Sequence, residues 1–231
     1  MARIGVLGIQ GAIAEHVEMI KSVGASSVKI IKYSHDLEDI DGIILPGGES
    51  TAMAIAGGEL FPYIKEWVQQ GRPIFGTCAG MILLSDHAIK QCEGGQSLLG
   101  GLDVHVCRNY FGSQLQSKET NIEIISTSSS GNIETLVTPS NQYRGVFIRA
   151  PAILKVGSDV TILSKMKARP HKCAIEEIRK EFGDNNGCDE YEIIIAVQQR
   201  NILATAFHPE LTEDARFHRY FLEIVTATKS K

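Results

Sequence analysis

Pro73-Ile74-Phe75-Gly76-Thr77-Cys78-Ala79-Gly80-Met81-Ile82-Leu83-Leu84 decides how this chain is read. A short apolar strand, Pro73 to Phe75, runs into Gly76-Thr77-Cys78-Ala79-Gly80, and an apolar helical stretch follows at once. A strand-to-helix elbow of the form G-x-C-x-G forces its middle residue into a strained backbone, so glycines flank it where a Cβ would clash. The turn is expected to expose Cys78 at the carboxyl end of a sheet, facing a helix start whose partial positive charge favours thiolate over thiol. Taken alone, the motif also fits a small buried core cysteine, the usual fate of a free thiol.

Working outward, β-branched runs alternate with helical patterns: Ile4 to Leu7 then Ala12 to Val23, Val28 to Ile31, and Ile43 to Leu45 then a helix near Ser50. Alternation of this kind predicts βα units around a parallel sheet, open and doubly wound. In the first helix Ile13, Val17 and Ile20 recur at helical spacing, with Glu15, Glu18 and Lys21 off that face. From Leu102 the pattern turns strand-rich and more antiparallel: Leu102 to Val106, Ile122 to Ile125, Val146 to Ile148, Val160 to Leu163, Ile193 to Val197 and Leu203 to Phe207. An amphipathic helix over about Asp214 to Ala227 closes the chain.

A second chemical signal is Phe207-His208-Pro209-Glu210, at the end of the last strand. Pro209 restricts His208 to extended backbone, and in an extended segment residues i and i+2 project to one side. Glu210 can then hold one imidazole nitrogen while the other faces a thiol, the logic of nucleophile, base and orienter. The remaining histidines, His16, His35, His87, His105, His171 and His218, read as ordinary surface or core residues.

The third signal, Pro46-Gly47-Gly48-Glu49-Ser50, again ends a strand. Its two glycines let backbone N–H groups turn toward a ligand, as an oxyanion hole requires; read alone, it is a βα turn with Ser50 as helix cap. Catalytic or glycine-rich turns at strand carboxyl ends lie where open α/β sheets bind ligands.

The chain has 231 residues, 43% hydrophobic and 22% charged, with a formal net charge of −4. That suits one globular domain spanning 1–231 and supplies no basic footprint for nucleic acid. No apolar stretch approaches the ~20 residues of a membrane span, and no signal peptide is evident. The expected location is therefore cytoplasmic, with Cys78, Cys92, Cys107, Cys173 and Cys188 as free thiols. No C-x-x-C pair or Cys/His cluster has zinc-ligand spacing, so no metal is expected. The segment 165–192 opens basic, turns acidic and contains Asn185-Asn186-Gly187. It reads as a solvated surface insertion with a helical turn at Ala174 to Phe182, standing clear of the site.

Together these motifs resemble the triad class of glutamine amidotransferases, specifically the glutaminase subunits of pyridoxal 5′-phosphate synthase, over nearly the whole chain. Carrying the resemblance are Gly5-Val6-Leu7-Gly8-Ile9-Gln10-Gly11, Pro46 to Thr51, Gly76 to Gly80, Arg108-Asn109, Phe111-Gly112, Phe147 to Pro151 and Phe207 to Leu211. Sister amidotransferases usually carry Gln shortly after the elbow, where this chain has Met81-Ile82-Leu83, and they lack the Glu49-Ser50-Thr51 continuation. The resemblance implies a three-layer α/β fold, an open mixed sheet with helices on both faces, of the flavodoxin-like class I amidotransferase architecture.

It further implies Cys78 as nucleophile, His208 as base and Glu210 as orienter. Gly47, Gly48, Glu49, Ser50, Arg108, Ile148 and Arg149 would surround L-glutamine. Arg108 or Arg149 would hold the α-carboxylate and Glu49 the α-ammonium, since a zwitterion calls for one charge of each sign. Gly47, Gly48 and Ala79 would supply the oxyanion hole, with Gln10 and Glu49 sensing activation. No cofactor is implied; the implied partner is a (β/α)8-barrel synthase subunit that receives the ammonia. The rival readings are a glutaminase for another acceptor, a γ-glutamyl hydrolase with the same triad, and a regulatory binding subunit. In compact relatives the strands flanking 165–192 are joined by a short turn, and Gly57-Gly58 interrupts a stretch expected to be helical.

Overall fold

The computed structural model describes residues 2–89, 97–112, 118–125, 134–182 and 190–230. Cys92, Cys188 and Asn185-Asn186-Gly187 lie outside them, and for Cys173 only the backbone is described. In chain order the first half contains β1 (Arg3–Leu7), α1 (Ile13–Ser22), β2 (Ser27–Ile31), β3 (Gly42–Leu45), α2 (Ser50–Ala56), α3 (Phe61–Gln69), β4 (Ile74–Thr77) and α4 (Ala79–Leu84). The second half contains β5 (Ser85–Ile89), β6 (Leu102–Cys107), β7 (Lys118–Ile124), α5 (Glu134–Val137), β8 (Gln142–Phe147), β9 (Ala152–Val156), β10 (Thr161–Ala168), α6 (Lys172–Phe182), β11 (Tyr191–Gln199), β12 (Ile202–Thr205) and α7 (Arg216–Lys229).

These strands form one 12-stranded mixed sheet in the order β2-β1-β3-β4-β12-β11-β10-β7-β8, with β5, β6 and β9 branching from β11. The run β2-β1-β3-β4-β12 is parallel, and β11, β10, β7 and β8 follow antiparallel. Every residue of β3, β4 and β12 is buried, which explains their unbroken apolar runs. By contrast β2, at the sheet edge, exposes Ser27, Lys29 and Ile30.

Helices cover both faces. A Cβ on Gly42 would touch Val225 and Phe221 of α7, while Gly80 of α4 lies against Leu45. Gly42 and Leu45 are three residues apart on β3 and so point to opposite faces, which puts α7 and α4 on opposite sides. Gly57 caps the carboxyl end of α2, its N–H bonding to Met53 O at 2.9 Å, and α3 begins at Phe61. Gly57-Gly58 is thus the break between two helices.

Two strands, β5 and β9, were not expected from the sequence. Burial in β5 follows neither alternation nor an apolar run, and Pro151 at the head of β9 reads as a stop. The segment 165–192 begins and ends as strand: β10 pairs with β11 from Thr161↔Gln198 to Ala168↔Tyr191. Between them α6 buries Ala174 and Ile178. The segment is also tied to the chain that follows β6. Tyr110, two residues after Arg108, donates its hydroxyl to Ala168 O at 2.9 Å, and its own carbonyl accepts from His171 N at 2.8 Å.

Candidate active site

The switch point of an open α/β sheet lies where strand order reverses, here between β1 and β3, and the crevice opens at the strand carboxyl ends. The turns after β1, β3, β4 and β12 meet there around a cavity of about 410 Å³. Gln10, Gly47, Gly48, Glu49, Ser50, Cys78, Arg108, Ile148, Arg149 and His208 all line it. The cavity also takes in Ala12, Ile82, Asn109 and Leu211, which were not among the expected site residues. Asn109 and Arg149 both have left-handed backbone, with φ of 52° and 47°.

Cys78 sits at φ 47°, ψ −101°, between β4 and α4, a conformation non-glycine residues rarely adopt. The flanking glycines make the turn possible: a Cβ on Gly76 would come within 2.6 Å of the Gly80 carbonyl carbon, and one on Gly80 within 2.8 Å of Leu45 Cβ. The elbow is tied to β12 by Cys78 N donating to Thr205 O at 2.8 Å. The thiol is less open than the sequence suggested: Cys78 is 6% exposed and lines the cavity. Ala79, 1% exposed, lies behind it.

His208 follows β12 and bonds through Nδ1 to Glu210 Oε1 at 2.7 Å. The local backbone differs from the expectation. Glu210 lies in a 3₁₀ turn, Pro209–Leu211, so the turn, not an extended strand, brings the carboxylate under the ring. Burial works against a charged imidazole here, but hydrogen bonding to Cys78 and then to Glu210 overrides it and pushes His208 up to about 10. The imidazolium is thereby favoured opposite Cys78.

On the β3 side the cap of α2 is Glu49, not Ser50: its carboxylate accepts from Thr51 N at 3.0 Å and Ala52 N at 2.8 Å. Burial raises the Glu49 pKa, but these two N–H groups, with Arg108 beside them, hold it below the usual carboxylate range. Arg108 places one guanidinium nitrogen 3.3 Å from Glu49, 3.0 Å from Ser50 Oγ and 2.9 Å from Thr51 Oγ1. The two charges expected to hold opposite ends of a zwitterion therefore meet each other across the cavity. Gln10 Oε1 accepts from Glu49 N at 3.2 Å, linking the β1 and β3 turns.

Sequence reasoning missed what lies behind Glu210. His16 of α1 and His218 of α7 are both fully buried, and His16 Nε2 stands 3.4 Å from Glu210 Oε2. A signal existed: His16 falls on the apolar stripe of Ile13, Val17 and Ile20, where a polar ring needs a partner.

Comparison with known proteins agrees with this architecture. A crystal structure described as a glutamine amidotransferase superposes with TM-score 0.74 and 34% identity, covering 96% of this chain and 98% of that one. The fold and its crevice are those of a glutamine amidotransferase. The chain belongs to the SNO glutamine amidotransferase family, whose model matches residues 6–227, and it is an enzyme that hydrolyses glutamine. Among its relatives is an Arabidopsis thaliana protein named "Probable pyridoxal 5′-phosphate synthase subunit PDX2", 45% identical over 96% of this chain and 85% of that protein. A pyridoxal 5′-phosphate synthase subunit PdxT of Listeria monocytogenes is 40% identical over 96% of this chain and 98% of its own. Among the described residues, no helix is long and apolar enough to cross a membrane.

Proposed function

We propose that Cys78, His208 and Glu210 are the nucleophile, acid–base group and orienter of this glutaminase, and that its ammonia passes to a pyridoxal 5′-phosphate synthase subunit of (β/α)8-barrel form. One observation carries the reading: the His208–Glu210 bond of 2.7 Å stands beside a cysteine held on a strained elbow at the floor of a shared cavity. Without a catalytic role, a positive-φ cysteine flanked by two obligatory glycines is strain without a return.

The thiolate of Cys78 attacks the carboxamide carbon of L-glutamine, and the oxyanion is received by backbone N–H groups of the Gly47-Gly48 turn and Ala79. His208 gives its proton to the departing nitrogen, the C–N bond breaks, and ammonia leaves a γ-glutamyl thioester. Neutral His208 then takes a proton from water, whose oxygen attacks the thioester; the C–S bond breaks to release glutamate and regenerate the thiolate. Glu210 stabilises the imidazolium at each protonation.

Glu49 and Arg108 bind the amino-acid end by exchanging partners. A carboxylate offers about four acceptor sites, and Thr51 N, Ala52 N, the Thr51 hydroxyl and Arg108 already occupy those of Glu49, so a substrate ammonium takes the site that Arg108 gives up. Arg108 Nε is buried and has no hydrogen-bond partner among the described residues, which leaves it as a donor for the α-carboxylate. Ser50, Ile148 and Arg149 complete the wall. Free ammonia is mostly protonated near neutral pH, and direct transfer keeps it nucleophilic. The chain works as one domain in the cytoplasm, and Gln10 conveys partner contact to the Glu49 turn.

The test is glutamate release from glutamine, measured with and without a pyridoxal 5′-phosphate synthase subunit, together with product formation. The expected result is turnover that rises mainly in kcat when the partner binds, with Gln10→Ala blunting the rise. Product formed equally well with an unrelated acceptor enzyme would overturn the assignment of partner.

A further inference from the structure

The triad accounts for only one oxygen of Glu210. Its Oε1 accepts from His208, but Oε2 is fully buried and has no hydrogen-bond partner at ordinary distance among the described residues. A buried carboxylate oxygen without a donor is costly, and it leaves the group free to rotate away from the imidazole. His16 Nε2, on a side chain with no exposure, stands 3.4 Å from Oε2. The same nitrogen lies 3.2 Å from Thr77 Oγ1, the residue before the nucleophile, while His16 Nδ1 lies 2.8 Å from His218 Nε2.

These contacts fix which nitrogens carry protons. If His16 were protonated on Nδ1, its bare Nε2 lone pair would face the lone pairs of Glu210 Oε2, and His218 Nδ1 would be a buried N–H with no acceptor. With the proton on Nε2, His16 donates toward Glu210 and Thr77 and accepts from His218 Nε2–H. His218 Nδ1, which has no partner among the described residues, is then only an acceptor, the less expensive group to leave unmet. Both rings are held neutral: burial, then the proximity of His218 and His208, lowers His16 well below the ordinary imidazole value, and burial lowers His218 to about 3. The groups around Glu210 are thus His208 on its own turn, His16 from α1 with His218 of α7 behind it, and Tyr143 of β8, whose hydroxyl is engaged with Thr212 and Asp214 O.

We infer that His16 is a positioning residue for catalysis, a neutral N–H donor that anchors the second oxygen of Glu210 and so holds the His208 imidazole toward Cys78, with His218 fixing the tautomer of His16. The inference rests on the assignment of His208 and Glu210 to the triad. It reaches from the active site through the sheet edge to a helix pair, since α1 and α7 each contribute one ring of the relay.

The test is a double-mutant cycle on the full chain assembled with a synthase subunit, using His16→Leu, His16→Gln and Glu210→Gln, with kcat, KM for glutamine and melting temperature for each. Leu removes the donor, whereas the Gln amide has both a donor for Glu210 and an acceptor for His218. His16→Leu is expected to lower kcat by about 10- to 100-fold, the range in which outer partners of catalytic groups act, with KM changed by less than about threefold. His16→Gln should recover most of that loss. In the Glu210→Gln background His16→Leu should cost little more, because the group it acts through is already impaired. Equal losses for His16→Gln and His16→Leu, or fully additive losses with Glu210→Gln, would overturn the proposal. Full activity of Glu210→Gln by itself would instead remove the triad assignment. If His16→Leu does not fold, the His16→Gln and Glu210→Gln pair decides the question on the same criterion, because a donor-retaining variant must stay active.

Discussion

Replacing Gly47 by alanine adds one methyl group to the wall of the cavity and tests the proposed geometry with little else changed. Gly47 is not among the glycines with positive φ, so alanine brings no backbone strain. The new Cβ would lie 2.8 Å from His208 Nδ1, closer still to His208 Cε1, and 3.3 Å from Cys78 Cβ. Ordinary contact begins at 3.4 Å, so Nδ1 must retreat by 3.4 − 2.8, about 0.6 Å, and Cε1 further. The atom displaced is the one bonded to Glu210 at 2.7 Å. Misplacing a catalytic group by about 1 Å costs roughly 100-fold in rate, equivalent to about 2.7 kcal/mol of barrier. Because the methyl enters the cavity and not the packed sheet, the melting temperature should fall by no more than a few degrees. The assay is glutamate release with a synthase subunit present, beside a thermal melt of the same preparation. A folded Gly47→Ala enzyme with kcat within about threefold of the parent would refute the placement of His208 against this turn.

Cys78→Ser should abolish hydrolysis while leaving the fold intact, as judged by circular dichroism, and a glutamine-analogue electrophile should label Cys78 and not Cys107. Glu210→Gln should reduce kcat less than His208→Asn, since the imidazole moves the protons and the carboxylate only positions it; the reverse order in two folded variants would require the roles to be exchanged. The rate–pH profile should keep its plateau to unusually high pH. His208 is raised to about 10, so the imidazolium persists through neutrality and its pairing with Cys78 is lost only as pH rises through that value. An alkaline limb of kcat/KM near 7 would contradict this.

The parallel half of the sheet was legible because its strands are buried on both faces, so Ile43-Ile44-Leu45 reads as one apolar run and the turns after it announce themselves in glycine. The residues proposed as the triad could be singled out for a related reason: Cys78 and His208 stand in motifs whose local backbone depends on their neighbours. What could not be read were consequences of distant pairing. Strand β9 exists because it bridges β6 and β11, a role its sequence does not encode. Ser50 resembled a cap by residue type, yet Glu49 reaches the free N–H groups first and is paired with Arg108 from 59 positions away. His16 meets His218 across 202 positions of sequence, a separation no local pattern spans.

The placement of segment 165–192 follows from strand direction. Thr205, at the carboxyl end of β12, pairs with Ala196, and β11 runs antiparallel to it, so Tyr191 lies five residues beyond the catalytic edge of the sheet. The hairpin arms therefore carry α6 to the same side as the turns bearing Cys78 and His208. Tyr110 spans the gap: it is fully buried, donates to Ala168 O on one arm, and continues the chain from Arg108 and Asn109 on the cavity wall. Asn109 occupies left-handed backbone, a conformation that must be held by what surrounds it. Tyr110 thus joins the segment to the stretch that carries Arg108 by two hydrogen bonds, one from its phenol to Ala168 O and one from His171 N to its own carbonyl.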